Sequence, residues 1–221
     1  MRSVFSLPLA GALLLVSWAC GPASESGADV PSEAEVTEGS GMSEAELALD
    51  ASCWLRDASV EEAMDRPSPL GETEFTLEGH TGRICYGRPS ARDRVVEGGL
   101  IPFGEPWRMG ANEATAIHLP FPALVGGIEL QPGSYSMYVV AGEYEWEFFL
   151  NSDAQRWGIP INDAVRTADI GSFTGLPRTL NEPVEQFTIH WHAHGDQGGH
   201  LVLEWGTTRV EFEVSLLDHP H

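Results

Sequence analysis

The chain has 221 residues and a formal net charge of −21, and all 12 of its basic residues are arginine. With no lysine it has no P-loop lysine, Schiff-base lysine or lysine general base, and so acidic a chain lacks the clustered basic surface that nucleic-acid binding requires. Once a leader and a linker are set aside, roughly 150 residues remain, enough for one ordinary core.

Residues 1–20, MRSVFSLPLAGALLLVSWAC, open on Arg2, run through an apolar stretch over 4–16 and end in the small residues Ser17 and Ala19 before Cys20. This is the pattern of a secretory signal peptide. The apolar stretch is shorter than the 20 or so residues that a spanning helix needs. The approach to Cys20 resembles a lipobox, at which bacteria acylate a cysteine and cleave before it. The expected partner is therefore the membrane, through an N-terminal lipid anchor on Cys20. Ser17 stands where leucine is usual and Trp18 is bulky, so ordinary cleavage after Ala19 is the alternative. Gly21, rather than an aspartate, after Cys20 points to the outer membrane, facing the periplasm.

Between residues 21 and 65, twelve acidic residues face Arg56 alone. The first part, 21–42, has small and acidic residues and almost nothing to bury, which predicts a disordered tether. Within 43–66, Ser43 with Glu46 and Ser59 with Glu62 have the spacing of capping boxes, so two short helices are expected, the second ending before Pro67. If Cys20 is acylated, the two other cysteines lie in an oxidising compartment, and Cys53 is expected to pair with Cys85, stapling this segment to a strand.

From residue 67 to 216 the texture changes to short alternating or aromatic runs divided by Gly, Pro, Asn and Asp. Strands are expected over residues 73–78, 83–87, 114–119, 134–141, 145–150, 185–192, 200–205 and 208–215. Turns are expected at 79–82 and 142–143 and at Gly206, and such hairpins imply antiparallel pairing. Along 185–192, Phe187, Ile189 and Trp191 share one face, expected to be core, while Thr188, His190 and His192 share the other. The fold class is all-β: an antiparallel β-sandwich or a jelly-roll-like barrel, with short helices before the domain.

Residues 86–115, YGRPSARDRVVEGGLIPFGEPWRMGANEAT, concentrate unusual residue types. Pro89 cannot donate a ladder bond, so a strand should end there and leave Arg88 at a sheet rim. Arg88, Arg94, Trp107, Arg108, Asn112 and Glu113 are candidates to converge on one site for a small anionic or sugar-like ligand. The structural alternative has the arginines tie a long loop to carboxylates and carbonyls, with Glu113 as acceptor for Arg88 and Trp107 as core. A third reading is a hydrolase-like enzyme of unrecognised type using Glu113 as acid or base; no HExxH, GxSxG, GxGxxG or CxxC is present, and Glu113 held in a cleft near His118 would favour it.

These residues closely resemble the family called domain of unknown function 2911. The chain carries a tyrosine, a glycine and RPS at 86–90, Arg94, a GGLxPxGxxWR run at 98–108 and GANEAT at 110–115. It also has GSYS at 133–136, a W-x-x-x-x-N strand at 146–151 and WG at 157–158. The resemblance implies an all-β domain in an exported bacterial protein and assigns no catalytic residue. The Cys53, Cys85 pair and the segment HWHAHGDQGGH look particular to this chain. In that segment His192, His194 and His200 are the candidate trio for zinc or copper, against the alternative of an exposed polar face spanning His190 to His200.

Overall fold

The computed structural model describes residues 52–217. The leader, Cys20, the tether, the Ser43 and Glu46 pair, His219 and His221 lie outside them. Along the described chain come α1 (Val60–Met64), β1 (Leu70–Leu77), β2 (His80–Gly87), β3 (Pro106–Trp107), β4 (Thr115–Leu119), β5 (Ala123–Val125), β6 (Ile128–Leu130), β7 (Gly133–Ala141), β8 (Trp146–Asn151), α2 (Asp163–Arg166), β9 (Asp169–Gly175), β10 (Arg178–Ala193) and β11 (Gly198–Leu216).

These strands build two antiparallel sheets that share one core, a sandwich and not a closed barrel. The larger runs β1-β2-β4-β7-β8-β9, with β3 also on β7, and the smaller runs β10-β11-β5-β6. The expected alternation is present in β10: Phe187 and Ile189 are buried, and Trp191 packs on the core. Ser59 and Glu62 form the capping box of α1, which holds the Glu62 carboxyl below its usual range through the Ser59 backbone and side-chain hydrogen bonds.

Two turns are tighter than the sequence suggests. The β1–β2 turn is only Glu78-Gly79, both at positive φ (47° and 84°), with Leu77 paired to His80. That is the two-residue geometry that matches strand twist, so the strands extend beyond their expected ends. At Gly206, φ is 59° and β11 folds back on itself. A Cβ placed on Gly198 would lie 3.2 Å from the Ser215 Cβ, and the Leu216 amide donates to the Gln197 carbonyl at 2.9 Å. The two halves of β11 are the separate strands expected over 200–205 and 208–215.

The sheets are stitched where β10 forms the edge of the smaller one. An edge strand presents unpaired amides and carbonyls, and hydroxyls from the other sheet meet them. Tyr86 donates to the Ile189 carbonyl at 3.1 Å and accepts from the Ile189 amide at 2.9 Å, while Thr73 donates to the same carbonyl at 2.6 Å. Farther along, the Phe187 amide donates to the Pro89 carbonyl and the Ala91 amide to the Glu185 carbonyl. The segment after β2 thus leaves its own sheet and continues as a neighbour of β10.

Candidate functional site

The course of the chain through 88–91 decides where the motif residues point. Arg88 turns toward β10, its Nε donating to the Phe187 carbonyl and its Nη2 to Thr188 Oγ1, both at 3.4 Å. Arg94 curls onto its own loop, donating to the carbonyls of Ala91 (2.9 Å) and Ser90 (2.8 Å). Arg108 donates to the Gly110 carbonyl at 3.2 Å, and burial holds its guanidinium below the usual arginine range. Trp107 is core: it stacks on Trp205 at 5.9 Å and meets Phe187 and Trp146 edge-on at 5.2 and 6.3 Å. Asn112 adopts a left-handed backbone (φ 64°), which asparagine tolerates better than most residues, and donates to the Ser68 carbonyl at 2.9 Å.

Glu113 differs most from expectation. Its partner is Arg66 and not Arg88: Arg66 Nη1 donates to Oε1 at 3.0 Å and to Oε2 at 2.8 Å, and the Arg56 amide donates to Oε1 at 3.0 Å. Among the described residues no hydrogen bond or ion pair joins Arg88, Arg94 or Arg108 to Glu113. The physical reason is orientation: Arg88 reaches the opposite sheet, whereas Glu113 faces the segment that precedes β1. The six motif residues therefore do not converge. They form separate ties, several ending on backbone carbonyls that a rim of irregular chain would otherwise leave unpaired.

Glu113 closes a clasp. Residues 52–66 cross the outer face of the larger sheet as a strap, fixed at one end by a Cys53–Cys85 disulfide, with Cα atoms 5.6 Å apart, and at the other by Arg66 and Glu113. Arg56 lies over the Trp157 ring at 5.7 Å. Beneath the clasp a narrow cavity of about 20 Å³, bordered by Trp54, Leu55, Tyr86 and Asn112, has room for a single water but no larger ligand.

A wider cleft of about 390 Å³ opens on the other side of the strap, lined by Trp54, Leu55, Ser59, Gln155, His118 and Ser134. His118 and Ser134 are cross-strand neighbours on β4 and β7, and His118 Nδ1 lies 2.7 Å from Ser134 Oγ. His118 is buried, and Glu113 lines the small cavity rather than this cleft. His118, expected beside Glu113 in the enzyme reading, faces Ser134 instead. Of the strap that roofs the cleft, its cysteine and the Ser59 and Glu62 capping box were visible in the sequence, and its crossing over the sheet was not.

Farther along the same sheet face, Tyr138 donates to Asp169 at 2.5 Å, and Asn151 donates to Asp169 and to the Val165 carbonyl, both at 2.8 Å. Burial and Asp169 together push the Tyr138 hydroxyl far above its ordinary value, so it stays a donor. Arg156, also buried, lies in the field of Tyr138 and Asp169. The W-x-x-x-x-N strand thus serves to fix the loop that carries α2.

On the outer face of the smaller sheet the histidines pair differently from the expected trio. His194 Nε2 lies 3.4 Å from His200 Nδ1, while the His192 ring neighbours His190 at 5.2 Å. Among the described residues no three His, Cys, Asp or Glu side chains are placed to hold a metal ion together. Burial holds His190 below the usual histidine range, partly offset by Glu204.

No helix among the described residues is long and apolar enough to cross a membrane. No curated protein and no solved structure matches the chain. The family described as Protein of unknown function (DUF2911) matches residues 68–214, from just before β1 to the end of the core strands, and the chain belongs to that family.

Proposed function

We propose that this is an exported, lipid-anchored protein of the bacterial envelope, held at the outer membrane facing the periplasm, and that its sandwich is a binding module for a neutral, sugar-like ligand. The observation that carries export is the state of the cysteines. Of the three in the chain, Cys53 and Cys85 are joined, which suits an oxidising compartment, and the remaining one is Cys20 at the end of a leader.

The strap-roofed cleft supports the ligand class. Its volume falls in the range of small-molecule sites, and it combines an aromatic wall, Trp54, with the short-range polar groups of Ser134, His118 and Gln155. An anionic ligand has less support, because Arg66, Arg88, Arg94 and Arg108 are each committed to a carboxylate, a hydroxyl or a backbone carbonyl, and the net charge is −21. The enzyme reading with Glu113 as acid or base is disfavoured by the same count: three hydrogen bonds hold its carboxylate as part of the clasp.

The test is calorimetric titration of the purified protein with neutral oligosaccharides and, in parallel, with sugar phosphates. Saturable binding of a neutral sugar that Trp54→Ala and Gln155→Ala weaken, with the fold intact by circular dichroism, is the expected result. Binding confined to the phosphates and abolished by Arg88→Ala or Arg108→Ala would instead locate a site in the 86–115 loop and overturn the reading.

A further inference from the structure

We propose that His194 and His200 form a two-histidine chelate for a divalent transition-metal ion at the tip of the β10–β11 hairpin, a site independent of the strap-roofed cleft. The backbone fixes the two side chains relative to each other. Ala193 pairs with Gly199 and His192 with His200, and the His194 amide donates to the Gly198 carbonyl at 2.7 Å, closing the tip. The Leu216 amide, donating to the Gln197 carbonyl, ties that tip to the returning half of β11. Two imidazoles are thereby held on a fixed frame, one at each side of the turn.

Their nitrogens then lie at a separation that two ligands of one ion would have. His194 Nε2 and His200 Nδ1 are 3.4 Å apart, with ring planes at 65°. Two imidazole nitrogens bound to one tetrahedral zinc at their usual bond lengths lie about 3.4 Å from each other. The separation of the pair thus matches that of two ligands on a single ion. The alternative occupant of the gap is a hydrogen bond between the rings, which has the same separation, and metal would displace that proton.

The surroundings favour a cation. Glu213 lines the same groove as His194; Glu211 lies in the field of His200 but is ion-paired with Arg209 at 2.8 Å, so Glu213 is the carboxylate that counts. The pair supplies two ligands and no third protein ligand is already in position among the described residues. Water, or Glu213 after a side-chain rotation, would complete the coordination. Imidazole with an oxygen ligand suits zinc, copper(II) and nickel(II), and not calcium or magnesium. His192, on the same face, turns to His190 and is not needed.

The experiment is titration of the purified protein with zinc(II), copper(II), nickel(II) and calcium, each alone, followed by the same titrations on His194→Ala, His200→Ala, His190→Ala and a His219→Ala/His221→Ala double variant. His194 is exposed and His200 only partly covered, so these changes should leave the thermal midpoint in place. The expected result is one transition-metal ion bound per chain, weakened roughly tenfold or more by either His194→Ala or His200→Ala, unaffected by His190→Ala, retained in the tail variant, and no calcium binding. Absence of binding, binding that survives both single substitutions, or binding lost only with the tail histidines overturns the proposal.

Discussion

Replacing Glu113 by alanine should destabilise the sandwich through the strap and not through any reaction. The change removes the acceptor of Arg66 Nη1 (2.8 and 3.0 Å) and of the Arg56 amide (3.0 Å). The ion pair is partly covered, with side-chain exposures of 22% for Arg66 and 12% for Glu113. Exposed ion pairs contribute about 0–1 kcal/mol, and breaking a fully buried one costs about 3–5 kcal/mol. A partly covered, two-pronged pair with one further amide belongs between them, near 2 kcal/mol. For a domain of this size that corresponds to a fall in thermal midpoint of roughly 4–8 °C. Urea unfolding of wild type, Glu113→Ala, Arg66→Ala and the double variant forms a cycle, and the clasp predicts a coupling of about 1 kcal/mol or more, since contacting residues are not additive. A coupling below about 0.5 kcal/mol, or a larger coupling of Glu113 to Arg88, would refute the assignment of partners.

Reduction of the Cys53–Cys85 bond, which closes a loop with a sequence separation of 32, should lower stability by about 3–4 kcal/mol in the chain-entropy treatment; denaturant curves with and without dithiothreitol check it, and an unchanged midpoint would argue against the cross-link. Trp107→Ala should cost about 3–5 kcal/mol, because it empties the space between Trp205, Phe187 and Trp146, and equilibrium unfolding reads it directly. His190 lies below the usual histidine range because it is buried, with Glu204 opposing and His192 and Arg209 adding to the shift. A depressed folded value means the unfolded chain binds the proton more readily, so His190 stabilises the neutral fold above about pH 6.5 and that contribution fades as pH falls through the histidine range. His190→Gln should flatten the pH dependence of stability between about pH 7 and 5.

Much of the fold was legible because burial imposes short periods. The 185–192 stretch alternates aromatic and polar residues, and its aromatic face is core. The Ser59 and Glu62 spacing marks α1. Missed elements lacked such a signature: β3, β5 and β6 have two or three residues each, and β9, DIGSFTG, is mostly small and polar. The motif residues were recognisable as special, but their partners were not. Arg66 and Glu113 are 47 residues apart, and neither the acidity of the stretch around Arg66 nor its capping boxes and cysteine point to Glu113 as a partner. Arg88 was expected at a sheet rim, where it is, but the rim belongs to a crossing between sheets, so its acceptor is the edge of β10. The roofed cleft was illegible for a related reason: it exists because the strap lies over β4 and β7, and no local pattern encodes that crossing.

With Cys20 proposed to carry a lipid and the other two cysteines joined in one cross-link, peptide-resolved mass spectrometry of the unreduced protein extracted from host membranes tests both at once. It should find an N-terminal peptide beginning at an acylated Cys20 and a single peptide pair joined through Cys53 and Cys85. An unmodified residue 20, an N-terminus elsewhere, or free thiols at 53 and 85 would contradict export to the envelope as a lipid-anchored protein.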